Sequence, residues 1–180
     1  MAEGQCPMPP INQDARATGW KIPLLFCIIM VAVVGLTAFL RTDNTPVPEL
    51  PAPLFEQARA ITIDLGQSPE GRAWKERISA TAGGFVTRAD KDIKITYLVH
   101  SAVEQQHFDA ACTAAVLMYN DHKRDEALIH IAQSAMTQCA TLPWAVMAAK
   151  GMKDKQNIIT VHEHVSAEWQ RCQTKNTAKP

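Results

Sequence analysis

The residues of this 180-residue chain best equipped for chemistry are its six histidines, five cysteines and closely spaced carboxylates. His162-Glu163-His164 is the densest cluster, and two imidazoles beside a carboxylate are a familiar ligand set for a transition metal. On a helix, however, residues two apart point about 200° from each other, so His162 and His164 cannot face one ion. His130 falls at the border of its helix's apolar face, next to Ile131. His100 and His107 are seven apart and share a face only if one helix runs unbroken through Gln106. The histidines are therefore expected to be packed or surface imidazoles, with neither a metal nor any other cofactor bound.

The cysteines are Cys6, Cys27, Cys112, Cys139 and Cys172, without C-x-x-C, haem-attachment or finger-like spacing. Cys112 lies among Ala110, Ala111, Ala114 and Ala115, a small-residue face suited to close helix approach. Asp90 and Asp92 flank Lys91, and carboxylates two apart on a helix diverge, so they form no acid/base dyad. There is no G-x-S-x-G, no phosphate-cradling glycine loop and no H-E-x-x-H. No catalytic residue is predicted.

These side chains must be positioned by elements whose nature the charge and hydropathy distribution defines. The 18 basic residues balance 18 acidic ones, which removes any general attraction to nucleic acid. Residues 22–40 (IPLLFCIIMVAVVGLTAFL) hold no charge. At about 1.5 Å rise per residue such a run spans roughly 28 Å, the thickness of a bilayer's hydrocarbon core. A single transmembrane helix over 22–41 is expected, with Trp20 and Lys21 at one boundary and Arg41 at the other. It exceeds the usual signal-peptide core of about 7–15 residues, so a signal-anchor reading is preferred to a cleaved leader. Arg16 and Lys21 precede it, and only Arg41 follows closely. The 1–21 tail is thus expected in the cytoplasm and the C-terminal domain in the periplasm of a bacterial inner membrane, with a mitochondrial inner membrane as the alternative. Residues 42–53 carry four of the chain's eleven prolines and are expected to be a semi-extended linker.

Residues 54–173 read as an all-α extramembrane domain, and 174–180 as a solvated tail. A first helix over about Leu54–Leu65 would turn Phe55, Ala58, Ile61 and Leu65 inward. Ser68-Pro69-Glu70 starts a second, carrying Trp74 and Ile78 and stopping at Gly83-Gly84. Thr87 with Asp90 resembles a capping box, and Ile93, Ile95, Tyr97 and Val99 alternate like a strand although the following residues favour a helix. Phe108, Cys112, Ala115 and Tyr119 form one stripe. Leu128, Ile131 or Ala132, Ala135 and Cys139 form another, introduced by Asp125-Glu126. After the short Leu142–Gly151 piece, Ile158, Val161, Val165, Trp169 and Cys172 form the cleanest amphipathic face. Antiparallel packing of short neighbours makes the Cys139 and Cys172 helices parallel at similar heights, so a Cys139–Cys172 disulfide is expected in an oxidising compartment.

The hairpin Phe108–Cys139, with Tyr119, the Asp125-Glu126-Ala127-Leu128 run and Ala135, resembles a tetratricopeptide-type repeat over about 32 residues. The resemblance implies a helix–turn–helix unit, and no second copy accompanies it in the sequence. The fold expected is therefore a small helical bundle or a repeat-like helical hairpin domain.

With one span, a spacer and no catalytic constellation, the expected function is a non-catalytic accessory or scaffolding subunit. Its helical domain would dock on other subunits of a larger membrane or envelope complex, of secretion, conjugation, respiratory or photosynthetic type. Trp144, after Pro143, is the expected exposed anchor, with Met147 and Met152 beside it as interface candidates. The alternatives are a membrane-tethered ligand-binding or sensor module and a thiol-dependent enzyme using Cys112.

Overall fold

The computed structural model describes residues 45–84 and 87–177, and residues from Val47 onward form one compact unit. The expected span at 22–41, with Trp20, Lys21 and Arg41, lies outside the described residues. Among the described residues no helix is long and apolar enough to cross a membrane.

All regular structure among the described residues is helical, in seven α-helices and one 3-10 turn: α1 Ala52–Ala60, α2 Pro69–Gly83, α3 Arg88–Glu104, α4 Phe108–Ala115, α5 Asp121–Ala135, the turn Cys139–Thr141, α6 Leu142–Gly151 and α7 Lys155–Thr177. Helices α3, α5 and α7 neighbour one another in sequence order and make one layer, while α2, α4, α6 and α1 make the other. The core between them is built from small residues on the second layer (Ala110, Ala111, Ala114, Ala115, Ala145, Ala148, Ala149) and branched ones on the first (Ile95, Val99, Leu128, Ile131, Val165). Alanines bring helix axes close, and the branched side chains fill the space between layers.

Local chemistry sets the helix limits. Ser68 Oγ accepts from the Gly71 amide at 2.9 Å, with Pro69 in the first turn. Gly71 is needed for a second reason: a Cβ there would lie 2.6 Å from the Leu65 carbonyl oxygen. Thr87 caps α3 through Asp90, and Asn120 caps α5 through the Lys123 amide. Helix α3 ends in a Schellman turn, with Gln106 N donating to Val103 O and His107 N to Ala102 O. Gln106 occupies the left-handed position at φ 60°, so α3 and α4 do not join and His107 leaves the line of His100.

The apparent strand alternation resolves into two faces of α3. Ile95 and Val99, four apart, are buried, while Ile93 and Tyr97, also four apart, are exposed. Three other expectations are corrected. Helix α1 buries Leu54 and Ala58 rather than Phe55, and it ends at Ala60, so Ile61 and Leu65 lie in the following loop. Residues through Thr177 continue α7, so most of the expected 174–180 tail is helix. Part of the Pro-rich linker belongs to the fold: Pro48 O meets His162 Nδ1 at 3.1 Å and Leu50 packs against the core.

The structure also contains a repeat that the sequence reading missed. The caps Thr87, Asn120 and Asp154 fall 33 and 34 residues apart, and Asp154 Oδ1 accepts from Gln156 N at 2.7 Å. Asp92 and Asp125 are both buried at the same step of α3 and α5. Asp92 accepts from Tyr119 N (2.8 Å) and Asn120 N (3.0 Å). Asp125 accepts from Lys153 N (2.9 Å) and Asp154 N (2.7 Å). Met118 and Met152 are buried at matching ends of the two units. Thus α3–α4 and α5–α6 are successive helix pairs, each closed by a buried carboxylate that ties down the next loop, and α7 starts a third.

Candidate docking site

The site is built outward from α6, whose sequence LPWAVMAAKG is almost wholly apolar. Its neighbours α1, α4, α5 and α7 bury Leu142, Ala145, Val146, Ala148 and Ala149. What remains is a narrow outer stripe that includes Trp144, Met147 and Lys150. Two grooves meet on this stripe. The first, about 150 Å³, is lined by Phe55, Ala58 and Arg59 of α1 with Val146, Met147 and Lys150 of α6. The second, about 430 Å³, continues from Met147, Lys150 and Gly151 to Ile63, Cys112, Thr113, Val116 and Leu128. Met147 and Lys150 belong to both, so together they form one trough past α6.

The trough is apolar and its only charges are positive. Neither lining contains a carboxylate. Arg59 and Lys150 take no part in the ion pairs Arg124–Asp121, Arg171–Glu168 and His122–Glu126. Phe55 is 50% exposed and Val116 52%, which leaves large apolar groups facing solvent around a concave floor.

The expected interface residues divide. Met147 lies in the trough. Trp144 shares the outer stripe of α6 and, like Met147, is half-buried and packed against the core, but it lines neither groove. Met152 is a core residue at the loop closed by Asp125. Sequence reasoning missed Phe55, Ile63 and Val116. Phe55 was drawn inward by its spacing to Ala58, although Leu54 and Ala58 offered an equally regular stripe.

The cysteines also divide. Cys139 and Cys172 are joined in a disulfide with a Cα–Cα separation of 5.8 Å, tying the 3-10 turn after α5 to the end of α7. Cys112 is free and buried beneath the trough. Its pKa is pushed up to about 12, first by burial and then by the Asp109 carboxylate, so the sulfur stays protonated at neutral pH.

On the opposite layer, α3 and α5 enclose a groove of about 490 Å³ lined by Ile93, Thr96, Tyr97, His100, Lys123, Glu126, Ala127 and His130. His100 and His130 stack across it, ring centroids 4.3 Å apart and tilted 41°. Burial, followed by the His100 charge, lowers the His130 pKa below 6.5, and Glu104 opposes the shift. The other four histidines are separate: His107 packs near Trp74 at 5.9 Å, His122 meets Glu126 at 3.3 Å on the surface, His162 is taken by Pro48, and His164 is exposed. Among the described residues no three His, Cys, Asp or Glu side chains are grouped to hold a metal ion. Asp90 serves the α3 cap while Asp92 ties the next loop, so these two carboxylates share no site.

No protein-family model, curated protein or solved structure matches the chain.

Proposed function

We propose that this protein is a single-pass, membrane-anchored accessory subunit of a larger membrane or envelope complex. Its helical domain docks on a protein partner, and it catalyses no reaction. The observation that carries this reading is the uncovered trough around Met147, apolar in its floor and walls and edged by the unpaired cations Arg59 and Lys150. Such a surface costs solvation energy when exposed and regains it when covered by a partner. The uncharged 22–40 run supplies the anchor, and the charge placement around it sets the domain on the periplasmic side of a bacterial inner membrane. The Cys139–Cys172 disulfide agrees with that oxidising side. The helix pairs, repeating at 33–34 residues, form the docking scaffold, and complexes of secretion, conjugation, respiratory or photosynthetic type fit it equally.

The test is purification of the intact chain in mild detergent after chemical cross-linking in membranes. A stoichiometric protein partner is expected. A clean monomer without one contradicts the reading.

A second reading, a membrane-tethered ligand-binding module, rests on the α3–α5 groove with its stacked His100 and His130. Native mass spectrometry of the purified protein checks it: a retained small molecule supports it, and the bare polypeptide mass counts against it.

A further inference from the structure

We infer that the trough past α6 receives an acidic amphipathic helix from a membrane-proximal segment of the partner; this rests on the docking reading and names what occupies its site. Three observations converge on that occupant.

The first concerns backbone hydrogen bonding. Every element lining the trough is a helix or a helix-connecting loop, and no sheet edge occurs among the described residues. A strand laid there would leave its N–H and C=O groups unpaired against apolar walls, at a cost of several kcal/mol over its length. A helix satisfies its own backbone and presents only side chains, so the trough suits a helix with apolar residues at positions i, i+3, i+4 and i+7.

The second is charge. Arg59 and Lys150 stand at the edge of the trough without an ion-pair partner among the described residues, and no carboxylate lines it. The complement is an apolar stripe flanked by Asp or Glu, whose carboxylates would meet these two cations as the surface is covered.

The third is reach. Pro48 and Leu50 are fixed to the domain, so the chain available between Arg41 and Val47 is six residue steps. Fully extended, that spans no more than about 20 Å. On the anchored reading proposed above, the partner segment offered to the trough is one close to the bilayer surface.

The probe is a fluorescein-labelled 18-residue peptide, stapled as a helix, with leucines at i, i+3, i+4 and i+7 and glutamates on both flanks. Its counterpart carries lysines in place of the glutamates. Binding to the full-length protein in nanodiscs of zwitterionic lipid is read by fluorescence anisotropy. The acidic peptide is expected to bind at least tenfold more tightly than the basic one. Lys150→Glu, at an exposed position, is expected to weaken it at least tenfold with an unchanged melting temperature; Met147→Glu, at a half-buried position, is expected to weaken it at least tenfold in protein that remains folded by circular dichroism. The double variant Arg59→Glu/Lys150→Glu is expected to invert the preference toward the basic peptide. Equal binding of both peptides, or binding indifferent to Met147→Glu and the charge swap, overturns the inference. If no partner co-purifies yet the peptides behave as described, the docking reading falls and the trough assignment stands. If a partner co-purifies but cross-links only elsewhere, the reverse holds.

Discussion

Asp92 and Asp125 sit at the same step of successive helix pairs, and each buried carboxylate accepts two backbone amides from the loop after its own pair. This makes the carboxylate the clasp between neighbouring units. Its amide partners lie 27 to 29 residues downstream, so each clasp closes a long loop that helix packing alone would leave loosely defined.

Removing a clasp should therefore cost more than removing a surface acid. Asp125→Ala strands the Lys153 and Asp154 amides in a part-buried position and is expected to destabilise the domain by about 2–4 kcal/mol. Asp125→Asn keeps one acceptor oxygen and should cost less. Urea unfolding of the three proteins checks the order, and equal midpoints for wild type and Asp125→Ala would contradict the clasp.

Residues 139 and 172 are 33 apart, so their disulfide restricts a loop of substantial length in the unfolded chain. Loop-closure entropy for that length corresponds to about 3–4 kcal/mol. Cys172→Ser is expected to lower stability by this order and to free the last turns of α7. Non-reducing peptide mapping should recover the Cys139 and Cys172 peptides linked, with Cys112 as a free thiol. Recovery of 139 and 172 as thiols from freshly isolated protein removes the prediction.

His130 gives stability a pH dependence whose sign is fixed. Its folded-state pKa is lowered by burial and by His100, against the opposing pull of Glu104. Lys123 and Glu126 also line its groove. The unfolded chain takes up the proton first, near 6.5, so the contribution is complete above that value. It is lost as pH falls from there through the folded pKa. Thermal melts from pH 7.5 to 5 should show a steeper loss for wild type than for His130→Gln, and identical slopes would refute the assignment.

Cys112 should behave as an inert core thiol. With its pKa near 12, iodoacetamide at pH 8 is expected to label it at a small fraction of the rate seen in denaturant. Rapid labelling of the native protein would place a reactive thiolate beneath the trough.

Much of the helical framework was readable from local signals. Ser68-Pro69 and Thr87 each mark a helix start through capping chemistry that needs no tertiary information, and Gly83-Gly84 marks a stop where the chain becomes extended. The parallel placement of Cys139 and Cys172 followed from helix order and short connections. What escaped was set by packing. Phe55 and Leu54 are adjacent, both begin regular stripes, and only contact with α6 decides which is buried. The repeat was hidden because its units share few identical residues: the clasp aspartates match, but Ile95 stands opposite Leu128, and Val99 opposite Ala132. Trp144 and Met147, three apart on α6, are both half-buried on its outer stripe, and only the packing of α1 and α4 decides which of them borders a groove.

A protein partner seated on the trough at Met147, as proposed, would lie within reach of a photo-cross-linker at that position. Replacing Met147 with benzoylphenylalanine in the full-length chain, irradiating membranes and purifying under denaturing conditions tests it most directly. One discrete protein adduct is expected from position 147, absent when the probe sits at the exposed Lys94 on the opposite layer. Adducts only to lipid, or the same products from both positions, would contradict it.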